Sequence, residues 1–97
     1  MRVISRKPLV EFWTKHEDAG EPLRAWFREA QQADWNSPDD LKKRYPSASI
    51  ISRNRVVFNI KGNKYRLIVM INYDYKQLFI RFIGNHAEYD RIDATII

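Results

Sequence analysis

The chain contains no cysteine. That one absence removes a disulfide scaffold, thiolate nucleophiles, zinc fingers and iron–sulfur ligation together. Two histidines are too few for an imidazole-built metal centre unless carboxylates do most of the ligation, and no metal-ligand spacing occurs. The three glycines form no phosphate loop, and no serine sits in a nucleophile elbow. No apolar run approaches the ~18 residues of a membrane span. Met1–Lys7 is basic, but no apolar run of signal-peptide length follows it. The expectation is a soluble, cytoplasmic protein without metal, cofactor or membrane partner. At 97 residues the chain is expected to form one domain, 1–97, whose core needs no staples.

Acidic residues are scarce in one half only. Residues 1–48 carry 9 basic and 8 acidic groups, whereas residues 49–97 carry 8 basic and 4 acidic groups. Between Ser49 and Ile83, Asp74 alone faces Arg53, Arg55, Lys61, Lys64, Arg66, Lys76 and Arg81. A basic half beside a balanced one suggests a surface aimed at a polyanion.

The hydrophobic pattern changes period near Ile50. Before it, Val3 and Ile4 suggest a short strand over Arg2–Ser5. Leu9, Phe12, Trp13 and His16 line one face of a helix from about Pro8 to Asp18, with Gly20 as its stop. Leu23, Trp26, Phe27 and Ala30 repeat the spacing in a second helix opened by Pro22. Ser37-Pro38-Asp39-Asp40 starts a short third helix, which Pro46 stops. From Ile50 the period is two, and Arg55–Ile60, Lys64–Asn72 and Gln77–Ile83 read as strands. Gly62-Asn63 is a two-residue hairpin signal, placing Lys61 opposite Lys64 and Asn59 opposite Arg66. A short helix is expected after Gly84. The expected class is α+β: a short N-terminal strand, two to three helices on one face of an antiparallel sheet, and a short C-terminal helix.

Alternation assigns the two sheet faces. Val56, Phe58, Ile60, Tyr65, Leu67, Val69, Ile71, Leu78, Ile80 and Phe82 are expected to pack on the helices. The opposite face mixes Arg55, Arg66 and Arg81 with Asn59, Val57, Ile68, Met70, Phe79 and Ile83, and has no carboxylate. Arginines without acidic partners repel one another unless an anion comes to them. An apolar floor with cations suits a nucleic-acid strand, whose bases stack while phosphates meet arginine. The plainer alternative is that the last helix covers the apolar part and the arginines rim it. Acidic residues of a partner protein would satisfy the same arginines. His86 and Tyr89, at i and i+3 beside this layer, are capable of acid–base chemistry.

Arg55–Leu67, a third strand and His86-Ala87-Glu88-Tyr89-Asp90 together resemble the HigB toxins of bacterial toxin–antitoxin systems, within the RelE-like group. The early part agrees through Trp35–Leu41 and Tyr45-Pro46-Ser47, so the resemblance spans nearly the whole chain. It implies a ribosome-dependent mRNA interferase in which a ribose 2′-hydroxyl attacks the adjacent phosphate without metal. It makes His86 the base or acid, Arg66 and Arg81 the phosphate clamp, and Tyr89 the residue that orients the base or stacks on a nucleotide. Lys61 and Lys64 would grip mRNA or rRNA backbone, alongside Arg55 and Asn59 on the same layer. It further implies a HigA-type helix-turn-helix antitoxin, with operator DNA met only through the antitoxin complex. The alternative is a non-catalytic basic module that holds RNA or an acidic protein partner. The His86/Tyr89 pair beside unpaired arginines separates the two, because a binder has no need of it.

Overall fold

The computed structural model describes residues 1–52 and 54–97; Arg53, counted above among the basic residues, lies outside the described residues. The chain runs β1 (Arg2–Ile4), α1 (Lys7–Lys15), a 3-10 turn (Glu17–Ala19), α2 (Gly20–Gln32), α3 (Pro38–Arg44), β2 (Ser49–Ser52), β3 (Arg55–Ile60), β4 (Tyr65–Asn72), β5 (Gln77–Asn85) and α4 (His86–Tyr89). It is an α+β fold with a five-stranded sheet in the order β1-β5-β4-β3-β2. The four later strands are antiparallel, and β1 adds to β5 in parallel. Among the described residues, no helix is long and apolar enough to cross a membrane.

The helices start and stop for local reasons. Pro8 stands in the first turn of α1, where a missing N–H costs nothing. Ser37 Oγ accepts from the Asp40 amide at 3.3 Å, and Lys42, Lys43 and Arg44 close α3 against its dipole. Gly20 departs from expectation. Its φ of −60° is helical, so it opens α2 instead of ending α1. The first helix stops at Lys15, and the short 3-10 turn passes the chain directly into α2.

The core lies between the helices and one sheet face. Leu9, Leu23, Trp26, Ala30 and Leu41 meet Val56, Phe58, Leu67, Val69, Ile71 and Leu78 there. Phe58 is the hub: Trp26 and Tyr45 stand edge-on to it at 5.4 and 5.1 Å, and Trp35 lies across it at 6.5 Å. Such aromatic contacts add about 0.5–1.5 kcal/mol each beyond area burial. The Met1 amino group donates to the carbonyls of Ala30, Gln31 and Ala33, tying the start of β1 to the end of α2.

Three features of the sheet differ from the pattern reading. First, Ser49–Ser52 forms an edge strand paired with β3, where only the change of period was visible. Secondly, the β3–β4 turn holds four residues, Lys61 to Lys64, between the pair Ile60 and Tyr65. Lys61 and Gly62 both take left-handed φ values, 52° and 63°, and the Lys64 amide donates to the Lys61 carbonyl at 3.2 Å, so Gly62-Asn63 forms the tip of this four-residue turn. Thirdly, β5 bulges. Val69 pairs with Ile80 and Ile68 with Phe82, leaving Arg81 as the extra residue. The bulge reverses side-chain parity beyond it, so Ile83 packs against the core and Phe82 takes the other face.

Trp26 is 3% exposed against the Phe58 hub. Trp26→Ala is expected to cost about 3–5 kcal/mol in denaturant titration. A loss below about 1 kcal/mol would contradict this packing.

Candidate active site

The face of β3–β5 away from the helices holds the candidate site residues. Arg66, near the start of β4, pairs with Asn59 on one side and Gly84 on the other. Gly84 is required for its lack of side chain. A Cβ there would lie 2.5 Å from Phe82 Cζ and 3.2 Å from Glu88 Cβ. The Phe82 ring and the start of α4 therefore close directly over backbone.

Helix α4 begins as the strand ends. Asn85 Oδ1 accepts from the Glu88 amide at 2.8 Å, and Glu88 Oε1 accepts from the Asn85 amide at 2.9 Å. This reciprocal cap makes His86 the first helical residue. His86, Tyr89 and Asp90 then share one side of the turn through i, i+3 and i+4 spacing.

Arg66 joins that side of α4. Its Nη2 lies 2.9 Å from His86 Nε2, and its Nη1 donates to the Asn63 carbonyl at 3.0 Å. Its guanidinium carbon stands 5.8 Å from the centre of the Tyr89 ring, within cation–π range. A guanidinium donates and does not accept. Nε2 must therefore carry the lone pair, and the neutral ring holds its proton on Nδ1. Asp90 Oδ2 faces Nδ1 at 3.6 Å. The arrangement presents an imidazole whose Nε2 lone pair faces a guanidinium, with a carboxylate behind the ring. His86 and Asp90 are both more than half exposed, so a large substrate reaches them.

The structure thus brings together Arg66, His86 and Tyr89. Arg81 stands apart as the bulge residue, exposed, with no hydrogen bond or ion pair among the described residues. Arg55 turns to its own surroundings: Nε donates to the Ile97 carbonyl at 3.0 Å and Nη1 to Asn54 Oδ1 at 3.2 Å. Asn59 donates to the Ser47 carbonyl at 3.4 Å. Lys61 is exposed at the hairpin tip. Lys64, expected opposite Lys61 and unpartnered, is ion-paired with Asp18, whose other oxygen accepts from the Tyr65 hydroxyl at 2.5 Å. His16 packs between Phe12 and Tyr65 as part of the helix layer. Asp90 was not singled out from the sequence, although its i+4 spacing from His86 signalled it. The Asn63 carbonyl that holds Arg66 left no signal. Among the described residues, no three His, Asp or Glu side chains converge where they could hold a metal ion.

Residues 19–92 match the HigB toxin family, described as the RelE-like toxic component of a toxin–antitoxin system. The chain belongs to the HigB toxin family. It is 31% identical over 94 residues to the mRNA interferase HigB of Escherichia coli O6:H1, covering 95% of this chain and 91% of that protein. It is 27% identical over 97 residues to the mRNA interferase toxin HigB of Escherichia coli K12, covering 98% and 93%. The same identity and coverage hold for the mRNA interferase HigB of Shigella flexneri. The HigB resemblance seen in the sequence is thereby shown, and with it the role of toxin in a pair with an antitoxin.

Lys64 and the Tyr65 hydroxyl hold the Asp18 carboxyl at about 2, below the ordinary 3.8. A carboxylate lowered on folding stabilises fully above its unfolded value and loses that contribution as pH falls through the folded one. The tie between hairpin and helix layer is expected to persist above about pH 4 and to disappear toward pH 2. Carbon-detected NMR titration of Asp18 checks this: an unshifted midpoint near 4 would refute the tie.

Proposed function

We propose that this toxin is an mRNA interferase that cuts translated mRNA on the ribosome through the Arg66–His86–Tyr89 constellation. The observation that carries the reading is the Arg66–His86 contact, which turns the Nε2 lone pair outward beside a cation. The family and the names of its relatives set the substrate class.

The reaction needs a base, a cation at the phosphate and a bound strand. His86 Nε2 accepts the 2′ proton while the 2′-oxygen bonds to phosphorus. The bond to the 5′-oxygen breaks, and that oxygen takes up a proton from solvent water, while the proton held by His86 later returns to solvent. The products are a 2′,3′-cyclic phosphate and a 5′-hydroxyl. When substrate enters, Arg66 exchanges its contact with Nε2 for the phosphate oxygens, which frees the base as the clamp closes. Preorganised donors at developing phosphate charge act most strongly in this step. Asp90 stabilises the imidazolium that forms. Tyr89 supports the guanidinium with its ring face. Arg81, free on its bulge, supplies a second cation, and Lys61 meets RNA backbone at the hairpin tip. Lys64 joins it by leaving Asp18. Arg55 and Asn59 extend the strand path across β3. A HigA-type helix-turn-helix antitoxin silences the toxin by covering this basic face, and operator DNA is met through that complex.

Single-turnover cleavage of ribosome-bound mRNA by folded variants tests the site. Arg66→Ala is expected to slow cutting by about 10²–10³, and His86→Ala by about 10²–10⁴. Parental rates for both would remove these residues from the site. A binding module without chemistry would show no cleavage by the parent chain. Lys61→Ala is expected to weaken ribosome binding and to lower the salt dependence by about one phosphate contact. Equal slopes for variant and parent would take Lys61 off the interface.

A further inference from the structure

At the opposite end of the sheet from Arg66 lies a groove of about 770 Å³ that the cleavage chemistry does not use. Its wall comes from four separate parts of the chain. Asn36 precedes α3, Asn54 precedes β3, Asn72 ends β4 and Gln77 begins β5. Its apolar part is Met70 and Phe79, a cross-strand pair on the same face of the sheet as Arg66. Arg55 pairs across from Met70 and stands at the groove's edge.

The lining selects its ligand by chemistry. Among the described residues it contains no lysine or arginine and one carboxylate, Asp74, so it does not suit a phosphate or an acidic peptide. Carboxamides suit a neutral, planar group carrying both donors and acceptors. Asn54 Oδ1 accepts from Arg55, and Asn72 Oδ1 accepts from the Tyr75 amide, which leaves their NH₂ groups as donors. Asn36 Oδ1 accepts from Lys76 Nζ at 2.6 Å, so it is fixed in place. Gln77 has no side-chain hydrogen bond among the described residues and offers a donor and an acceptor together. Half-buried Phe79 supplies a ring for stacking. Amides on a base edge, an aromatic ring on its face and a cation outside for the backbone are the three elements of single-strand recognition.

We propose that this groove binds an unpaired nucleobase, so that the toxin reads base identity about four strand residues away from the place where it cuts. The inference rests on the RNA-cleaving reading for its biological meaning, but base binding itself is measurable without cleavage. The probe is the complete chain, labelled with ¹⁵N and titrated with single-stranded 2′-deoxy hexanucleotides of each base. These lack the attacking hydroxyl and stay intact. Side-chain amide signals of Asn54 and Gln77 are expected to shift with base-bearing strands and to stay still with an abasic strand of equal charge. Gln77→Ala and Phe79→Leu are each expected to weaken the base-dependent binding about tenfold. Gln77→Ala guards against a Phe79 variant that fails to fold.

Equal shifts with the abasic strand, or none with any strand, would overturn the proposal. If the chain cuts mRNA in an Arg66- and His86-dependent way and the groove stays silent, the groove proposal falls alone. If base-dependent shifts appear in a chain that cuts nothing, the groove stands and the cleavage reading falls.

Discussion

An arginine that donates to a histidine nitrogen determines where the proton of that ring resides. Much of the outer half of this molecule serves to make that one contact between Arg66 and His86. Asn63 holds the second arm of the guanidinium, and Tyr89 lies against it. Gly84 lets the strand and helix α4 come close enough, and the Asn85–Glu88 cap turns the chain into the helix at once. Each of these is weak alone. Together they fix the ring in a single tautomer on a surface otherwise open to solvent.

The helix side provides the rigidity. Phe58 gathers three aromatic rings on the inner face of β3, while its neighbour Asn59 pairs with Arg66 on the outer face. Packing on one side of a strand thereby positions polar groups on the other, because alternate residues cannot move independently. The Asp18–Lys64–Tyr65 cluster does the same at the hairpin, tying its tip to the turn between α1 and α2.

Much of this was legible in the sequence. Periods of 3.6 and 2 separated the helices from the strands, and Ser37-Pro38 marked the start of α3 because capping is local chemistry. The register that places Asn59 opposite Arg66 was among the legible parts, because Gly62-Asn63 forms the tip of the turn. What was hidden depended on tertiary choice. Gly20 reads as a stop, yet the 3-10 turn carries it into a helix. The bulge at Arg81 has no sequence mark, so Phe82 and Ile83 were assigned to each other's faces. Lys64 looked unpartnered because Asp18 is 46 residues away. At the site, His86 and Tyr89 were legible from spacing on a short helix. The tautomer was not, because it depends on a hydrogen bond from another strand.

The bulge also decides which way the end of the last strand faces. If the ladder ran regularly through Arg81, that arginine would pair with Ile68 and every later side chain would exchange sides. Gly84 would turn toward the helices and leave a void there, while Ile83 would press an aliphatic chain into the place opposite Arg66. The histidine would begin its helix half a pleat out of phase with its arginine. Removing Arg81 altogether is the gentler change, because Ile80 and Phe82 already pair with the consecutive residues Val69 and Ile68. The ladder would close over the gap, and a cation would be lost with the alignment kept. One surplus residue thus acts as a half-turn in the strand, and it matters as a spacer only while it stays unpaired.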